Sequence, residues 1–537
     1  MSRLLNWILL LACLTAGQLS ALYAAESDTP LHAAAELFKS KKFDQKYQAI
    51  QLLESDGSEQ AKEILVALMD SRLYTLKRDQ RLIMLGRRSG SPGAVDALTG
   101  DSVGDVARGA MNKITLNNRM RSQIRNALAM LDLRNPDRLK RLAAVNQLLD
   151  RPDAASAALI QSLLEQESDE QIREAMEIVI ALGKLSSGDK TERLAAVELL
   201  DGNIHPAVRN GLLKLQQSTD DEAFAAEIKQ VLDNIKATLQ FYSLVENIFF
   251  GLSLGSVLVL AAIGLAITFG VMGVINMAHG ELIMLGAYAT YVMQLLMPEH
   301  IGAALLLSIP VAFVISGLVG IGIERGVIRF LYGRSLETLL ATFGISLILQ
   351  QTVRSIFSPL NRSVEAPSWM SGSWEINSAL SLTLNRLYII AFCLLVFAAL
   401  FLVLKRTPLG LQVRAVSQNR AMARAMGVRS EWVDAMTFGL GSGIAGVAGV
   451  ALSQLTNVGP NLGQSYIIDS FMVVVFGGVG NLWGTLVSGM GLGIANKFLE
   501  PWSGAVLAKI LVLVFIILFI QKRPRGLFPQ KGRAAEG

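Results

Sequence analysis

Residues 251–269 read GLSLGSVLVLAAIGLAITF, a run without Asp, Glu, Lys or Arg. A helix needs about 20 predominantly apolar residues to cross the hydrocarbon core of a bilayer. A helix also satisfies its own backbone N–H and C=O groups, which no water can do inside that core. The stretch therefore predicts a transmembrane α-helix.

Windows of the same kind continue almost to the C-terminus. They lie at 282–298, 301–323, 338–357, 387–404, 435–457, 467–480, 483–499 and 504–520. Several are short and Gly-rich breaks separate some of them, so we expect about eight or nine membrane helices. The predicted fold class is all-α, with a polytopic helical membrane domain over 241–528 and a cytoplasmic tail over 529–537.

The composition divides the chain into two parts. The 537 residues are 52% hydrophobic and 17% charged, but charged residues recur every few positions between 26 and 240 and become scarce from Asn247 onward. The net charge of +5 does not indicate nucleic-acid binding, because the basic residues cluster in short loops between apolar windows, as membrane topology requires. Two cysteines, Cys13 and Cys393, suggest neither a disulfide framework nor a metal site, and we predict no cofactor.

The N-terminus has the three parts of a secretory signal. Arg3 supplies the positive charge, a short apolar run follows from Trp7 to Leu14, and small residues precede the acidic Glu26. The run is too short to cross a bilayer comfortably. We predict a signal peptide over 1–25 that is cleaved after Ala24 or Ala25, with an uncleaved anchor as the alternative. Either one exports the domain that follows.

Residues 26–240 carry a helical and repetitive pattern. Apolar residues recur at spacings of three and four, and Arg-Leu-Ala-Ala-Val occurs both at 141–145 and at 193–197. Such repeats are similar to degenerate HEAT repeats, in which stacked helix pairs leave one face free. We expect an exported helical-repeat domain that is either a docking surface for a partner or a passive spacer. His32 and His205 have no second ligand at metal spacing.

The basic loops orient the membrane domain. Arg325, Arg329 and Arg334 share one loop, the segment 405–430 is rich in Arg, and three basic residues follow the last window. Positive residues stay on the cytoplasmic side. Counting back through the windows places 26–240 outside the cytoplasm, in agreement with the signal peptide.

Two Gly-rich segments interrupt the apolar windows near the start and the end of the membrane domain. Both contain Phe-Gly-x-x-Gly followed by Asn and another Gly, at 269–281 and at 476–484. Paired broken helices point to a translocation site, because unwound backbone must line a cavity or be buried in protein. The glycines concerned are Gly270, Gly273, Gly280, Gly477, Gly480 and Gly484.

Polar and ionisable groups within membrane spans are costly and tend to be functional. The candidates for lining a translocation pathway are Asn276, His279, Glu281, Asp469 and Asn481. The alternative for His279 and Glu281 is that they cap a helix in a cytoplasmic turn.

The sequence has no phosphate-binding loop of the form G-x-x-x-x-G-K-[ST], so uphill transport would need a partner ATPase. The segment 405–430 predicts one amphipathic, Ala-rich helix that ends at Gly427 and suits a groove in another protein. A basic helix on anionic lipid is the alternative. The segment is similar to the coupling helix of ATP-binding-cassette (ABC) importer permeases, without the Glu of their consensus. The expected contact residues are Arg414, Asn419, Ala421, Ala423 and Gly427.

Three segments, 251–288, 405–430 and 468–493, resemble the permeases of branched-chain amino acid ABC importers. Residues 273–281, GVINMAHGE, are close to that family's signature, and 269–273 and 474–485 look most like its urea-transport branch. The resemblance implies a bacterial inner-membrane importer subunit that is not itself an enzyme. It also implies three kinds of partner: a second related permease, two cytoplasmic ABC ATPases and a periplasmic solute-binding protein.

We expect urea as the solute, partly because no paired charges are evident within the spans. Branched-chain amino acids or short amides are the alternative. A passive channel and a membrane-anchored scaffold are alternatives of other classes.

Overall fold

The computed structural model describes residues 29–40, 42–86, 93–149, 154–187 and 189–528. The chain divides into two compact units, Met1–Thr238 and Leu239–Gly537. The predicted signal peptide, 1–25, and the predicted tail, 529–537, lie outside the described residues.

The described part of the N-terminal unit begins with three helices and ends with six more. The first three are α1 Pro30–Phe38, α2 Phe43–Asp56 and α3 Glu59–Met69. The later six are α4 Asn118–Asp132, α5 Arg138–Leu149, α6 Ala154–Leu164, α7 Glu170–Ser187, α8 Lys190–Leu199 and α9 Pro206–Ser218. The two copies of Arg-Leu-Ala-Ala-Val lie in α5 and α8, and each buries its Ala-Val pair.

A five-stranded antiparallel sheet interrupts these helices, and the sequence did not predict it. Its strands are β1 Leu73–Leu76, β2 Leu82–Leu85, β3 Gly93–Asp96, β4 Ser102–Asp105 and β5 Met111–Lys113, in the order β4-β3-β2-β1-β5. Each strand has three or four residues, so periodicity cannot distinguish it from a helical fragment. Leu73 and Leu82 join the core formed by α1 to α4, and this packing fixes the strands.

The second unit is a helical membrane domain, and the all-α fold class is confirmed. Its helices are α10 Glu222–Met272, which starts in the first unit, α11 His279–Leu296, α12 Ile301–Gly326, α13 Ser335–Phe357, α14 Leu384–Arg406, α15 Pro408–Gln418, α16 Arg420–Ala425, α17 Ser430–Ser453, α18 Leu462–Gly477 and α19 Leu482–Lys522. Among the described residues, six of these are long and apolar enough to cross a membrane: α10, α12, α13, α14, α17 and α19. Helix α18 is apolar but shorter.

Helix α19 covers the last two apolar windows of the sequence. Its backbone is non-helical at Gly504, where φ is 76° and ψ is 161°. A positive φ is readily adopted only by glycine. The break divides α19 into two segments, which explains why the sequence shows two windows.

The loop between α13 and α14 contains a short hairpin, β6 Ser373–Asn377 and β7 Leu380–Thr383. Before the hairpin, Arg362 and Val458 exchange two backbone hydrogen bonds of 2.7 and 2.8 Å. This loop therefore meets the one that joins α17 to α18.

Candidate functional site

One face of α13 is polar and buried. Thr338, Thr342, Ser346 and Gln350 follow one another at a spacing of four residues and are each at most 4% exposed. Residues four apart lie on the same side of a helix. The opposite side carries exposed Leu340 and Leu347, so α13 hides its hydroxyl and amide groups and presents its leucines outward. We call these four residues the polar face of α13.

The carboxyl group of Glu281, in the first turn of α11, lies against the polar face of α13. Its Oε1 accepts hydrogen bonds from Ser346 Oγ at 3.0 Å and from Gln350 Nε2 at 2.8 Å. The residue is 1% exposed, and within the described part of the chain Oε2 has no hydrogen-bond partner. An acidic group is costly to bury in a membrane protein and normally marks a functional position.

His279 points away from α13. Its Nε2 lies 2.9 Å from the carbonyl oxygen of Ala261 in α10. A carbonyl oxygen only accepts, so Nε2 carries the proton in this hydrogen bond. His279 thus ties α11 to α10. Neither His279 nor Glu281 caps α11, since their side chains bond to two neighbouring helices instead.

The non-helical segment 273–278 separates α10 from α11. Gly273 adopts a φ of 69° and ends α10, and the Asn276 side-chain oxygen accepts a hydrogen bond of 3.0 Å from the backbone N–H of Ala278. The N–H of Met277 donates to Thr342 Oγ1 at 3.1 Å. The polar face of α13 therefore contacts both the unwound segment and Glu281.

Towards the C-terminal end of α13, a positively charged residue lies on the same side of the helix as the polar face. Arg354 follows Gln350 by four residues, and its Nη2 donates to the side-chain oxygen of Asn461 at 2.7 Å. Tyr288, two helical turns beyond Glu281 on α11, packs against Phe357 with ring centroids 4.7 Å apart and a tilt of 33° between the rings. We define Glu281, Tyr288, Thr342, Ser346, Gln350 and Arg354 as the polar track between α11 and α13.

The structure places the other two candidate polar residues outside this track. The Asp469 carboxylate on α18 accepts a hydrogen bond of 2.9 Å from Lys509 Nζ on α19. Asn481 caps α19, with its side-chain oxygen 3.1 Å from the N–H of Gly484, and its amide donates to the carbonyl oxygen of Phe528 at 3.2 Å. Both interactions hold α18, α19 and the C-terminal segment together.

The six glycines of the Gly-rich segments have two roles. Only Gly273 and Gly480 have a positive φ, 69° and 79° respectively. The other four lie at close backbone approaches, which bring Gly270 against Gly480, Gly280 against Gly463 and Gly477 against Gly484. The two segments thus meet each other where α10 and α18 end.

The segment 405–430 forms two helices, α15 and α16, where one was predicted. Thr407 and Pro408 begin α15, and Asn419 begins α16 by accepting a hydrogen bond of 3.0 Å from the N–H of Met422. Asn419 has an extended backbone, with φ −148° and ψ 98°, so the side chain that starts the second helix also interrupts the first. Gly427, with φ 86°, follows α16.

An exposed surface of small and apolar residues surrounds α16. Ala421, Met422, Met426 and Gly427 are exposed, with Met426 at 79%, whereas Ala423 is buried. Arg414 donates to the carbonyl oxygen of Leu404. Two hydrogen bonds of 2.7 and 2.8 Å from Arg420 to Asp434 fix α16 to the start of α17. We call Ala421, Met422, Met426 and Gly427 the α16 surface.

A cavity of about 690 Å³ lies beside the α16 surface, with Arg325, Arg424, Arg429 and Trp432 in its wall. Arg424 Nε donates to Ser430 Oγ at 2.6 Å. This part of the molecule therefore combines positive charge with exposed apolar side chains, as a protein-docking surface does.

Sequence reasoning missed Thr342, Ser346 and Gln350. The signal was present, because 338, 342, 346, 350 and 354 form a four-residue period of polar groups in an otherwise apolar window. That period predicts one polar face on a membrane helix, although it does not say which residue the face contacts.

Several apolar helices with a polar track buried between two of them are typical of a multi-pass membrane permease. The chain matches the family model described as the branched-chain amino acid transport system permease component over residues 247–520. It therefore belongs to that family, whose members are transport components and not enzymes.

Individual relatives agree with the family match. The chain is 30% identical over 298 residues to the high-affinity branched-chain amino acid permease LivH of Escherichia coli K12, covering 54% of this chain and 96% of the relative. It is 28% identical over 301 residues to BraD of Pseudomonas aeruginosa, with the same two coverages. The ribose import permease RbsC of Escherichia coli K12 is 24% identical over 284 residues, 51% of this chain and 84% of RbsC. No solved structure matches the chain significantly.

Proposed function

We propose that the chain is the permease subunit of an ABC importer in a bacterial inner membrane and that it moves branched-chain amino acids. The observation that carries the proposal is the family match over 247–520, which includes both the polar track and the α16 surface. Its partners would be a second related permease, two cytoplasmic ATPases that dock on the α16 surface, and a solute-binding protein outside the membrane.

The charges of the polar track support an amino acid as solute. Glu281 and Arg354 lie on facing helices, with Gln350 one turn from Arg354 and hydrogen-bonded to Glu281. A zwitterion offers an ammonium group to the carboxylate and a carboxylate to the guanidinium. The expectation of urea relied partly on an absence of paired charges, and this arrangement removes that argument. The names of the relatives also favour the amino-acid alternative over urea.

Urea is the second candidate, and the N-terminal unit favours it. The unit Met1–Thr238 lies outside the matched residues 247–520, so it is an addition to the part shared with the amino-acid permeases. Such an extension, together with segments 269–273 and 474–485, resembles the urea-transport branch.

We place the basic loops in the cytoplasm and the N-terminal unit outside it. A hydrogen bond of 2.8 Å from Arg329 to Glu431 joins two basic loops, and Trp483 packs on Phe401, near a loop rich in Arg, with ring centroids 5.9 Å apart. The Arg362–Val458 pairing joins two loops that would lie on the outer side. The positive-inside tendency then assigns the sides.

The deciding experiment is uptake of labelled leucine and of labelled urea at low micromolar concentration, in cells with and without this gene. Each unlabelled solute is added in excess against the other. Gene-dependent and ATP-dependent leucine uptake that urea leaves unchanged supports the proposal. Gene-dependent urea uptake that leucine leaves unchanged assigns the second candidate, and uptake that survives ATP depletion indicates a channel.

A variant of the α16 surface tests the ATPase partner. Met426→Glu places a charge on an exposed side chain without removing an internal contact, so the chain should insert normally but lose uptake and co-purification with ATPases. Leu360→Glu, at a similarly exposed apolar residue in the loop after α13, is the matched control and should transport normally. Normal uptake by Met426→Glu would remove the α16 surface from the proposed docking site.

A further inference from the structure

We propose that Glu281 selects the solute by accepting its N–H groups, so that the transported class is limited to small molecules with N–H donors and a nearby oxygen acceptor. The inference rests on the proposed function and adds the chemistry by which the permease recognises its solute.

The carboxylate of Glu281 is only half satisfied. A carboxylate offers about four acceptor positions on its two oxygens. Ser346 and Gln350 both donate to Oε1, while Oε2 finds no donor among the described residues. A buried acceptor without a donor is unfavourable, and a solute N–H group would supply what this oxygen lacks.

The neighbouring residues leave this position to the solute. His279, two positions earlier, points to the opposite side of α11 and donates to Ala261, so it does not compete for Glu281. Arg354 stands one turn beyond Gln350, a rise of about 6 Å along α13. An acceptor that Gln350 contacts and a cation one turn from Gln350 suit a short molecule that carries an N–H donor at one end and an oxygen at the other. Amino acids, amides and urea all meet this requirement.

The track is closed in this structure. Glu281 is 1% exposed, so a solute can reach it only when α13 moves away from α11. Such a movement would disturb little packing on the opposite side of α13, where Leu340 and Leu347 are exposed. The donors Ser346 and Gln350 then move with α13, which frees the carboxylate as the solute arrives.

The test compares a solute with its fully N-methylated analogue, leucine with N,N,N-trimethylleucine or urea with tetramethylurea. We measure the energy-dependent maximal uptake rate in cells that express the whole transporter. Wild type should favour the parent solute by about tenfold or more, as sites built around a hydrogen bond do. In Glu281→Gln this ratio should fall, because only the parent solute donates N–H groups to the carboxylate, whereas any steric exclusion of the methyl groups is the same in both proteins.

Two control variants separate recognition from folding. Glu281→Asp keeps the carboxylate and should keep the ratio at a lower rate. Glu324→Gln neutralises another buried acidic residue, on α12 and outside the track, and should leave the ratio at its wild-type value. Should Glu281→Gln fail to accumulate in the membrane, Gln350→Leu removes one donor from the carboxylate and should raise the ratio.

Equal losses for both solutes in Glu281→Gln, or a ratio unchanged in both Glu281→Gln and Gln350→Leu, would overturn the inference. Such results still leave gene-dependent, ATP-dependent uptake of the parent solute in wild type, which is the separate requirement of the proposed function.

Discussion

Two ionisable side chains at the start of α11 have different surroundings because of helix geometry. Successive residues in a helix are rotated by about 100°, so His279 and Glu281 point to nearly opposite sides. His279 bonds to the backbone of α10 and Glu281 bonds to two side chains of α13. We therefore assign His279 a positioning role and Glu281 a recognition role, although only Gly280 separates them in the sequence.

At the same scale, His279→Ala should lower uptake without preventing membrane insertion. The substitution removes the hydrogen bond of 2.9 Å that ties α11 to the Ala261 carbonyl oxygen of α10, a net loss of about 0.5–1.5 kcal/mol, and it also removes a fully buried imidazole from the contact between the two helices. The measurement is uptake normalised to the amount of the chain in the membrane. Because His279 positions α11 and does not select solute, the ratio of parent to methylated solute should stay at its wild-type value. Wild-type uptake in this variant would remove His279 from the site.

Among the helices, α17 is the central one, and its glycines make this possible. A Cβ atom on Gly446 would lie 2.5 Å from the carbonyl oxygen of Ala312 and 2.5 Å from Ser316 Oγ, both on α12. A Cβ on Gly441 would lie 2.6 Å from the carbonyl oxygen of Gly264 on α10. Small residues allow membrane helices to approach until their backbones touch, so α17 contacts α10 and α12 at once.

Gly446→Leu should therefore prevent assembly of the membrane domain. Its side chain would need the space that the α12 backbone occupies, and we expect much less chain in the membrane and earlier aggregation on heating in detergent. Gly322→Leu on α12 is the matched control, because no described atom lies within 4 Å of a Cβ built there. If the two variants accumulate equally, the packing explanation for Gly446 is wrong.

An ion pair connects α5 to the turn after α6 in the N-terminal unit. Arg141 donates to both carboxylate oxygens of Glu167, at 2.8 and 3.1 Å, and the Glu167 side chain is 5% exposed. The hydrogen bond from Arg141 lowers the pKa of Glu167 below its ordinary value of 4.5. A carboxyl group with a lowered pKa in the folded state stabilises that state above its unfolded pKa, and this contribution is lost as the pH falls through the folded value.

Protection of residues 138–149 and 154–187 from hydrogen–deuterium exchange in the full chain should therefore decrease on acidification below about pH 4.5. Glu167→Gln should lower protection at neutral pH and flatten this part of the pH dependence, because its amide does not titrate. Glu165→Gln, two residues away, has no ion pair with the described residues and is the control. An unchanged pH profile in Glu167→Gln would contradict the assignment.

For the whole molecule, the side of the membrane on which each loop lies decides which partner proteins the loop can contact. The α16 surface can contact cytoplasmic ATPases only if the basic loops are cytoplasmic, and the N-terminal unit can contact an external binding protein only from the other side. Both follow from one orientation of α10, so a single topology experiment tests them together.

We predict that Gln217→Cys and Ser363→Cys react with a membrane-impermeant maleimide in spheroplasts, whereas Gln418→Cys reacts only after permeabilisation. All three positions are exposed, and the background chain has Cys13 and Cys393 replaced by alanine. Labelling of Gln418→Cys in intact spheroplasts would reverse the proposed orientation.

The sequence alone determined the class of fold of the membrane domain and the resemblance to a permease family. Apolar windows near the thickness of a bilayer allow few structures other than helices, and the GVINMAHGE run at 273–281 carries the family resemblance. Both are local properties of consecutive residues, so they need no knowledge of distant contacts.

Only the tertiary structure decided which polar residues act together. Glu281 meets Ser346 and Gln350, more than sixty positions away, while Asp469 and Asn481 bond elsewhere. The sheet of β1 to β5 could not be predicted for the same reason. Its strands are too short to show a period of two residues, and they are stabilised by hydrogen bonds to their neighbouring strands. Contacts between residues far apart in the chain depend on how helices and strands pack, and a single sequence does not show that packing.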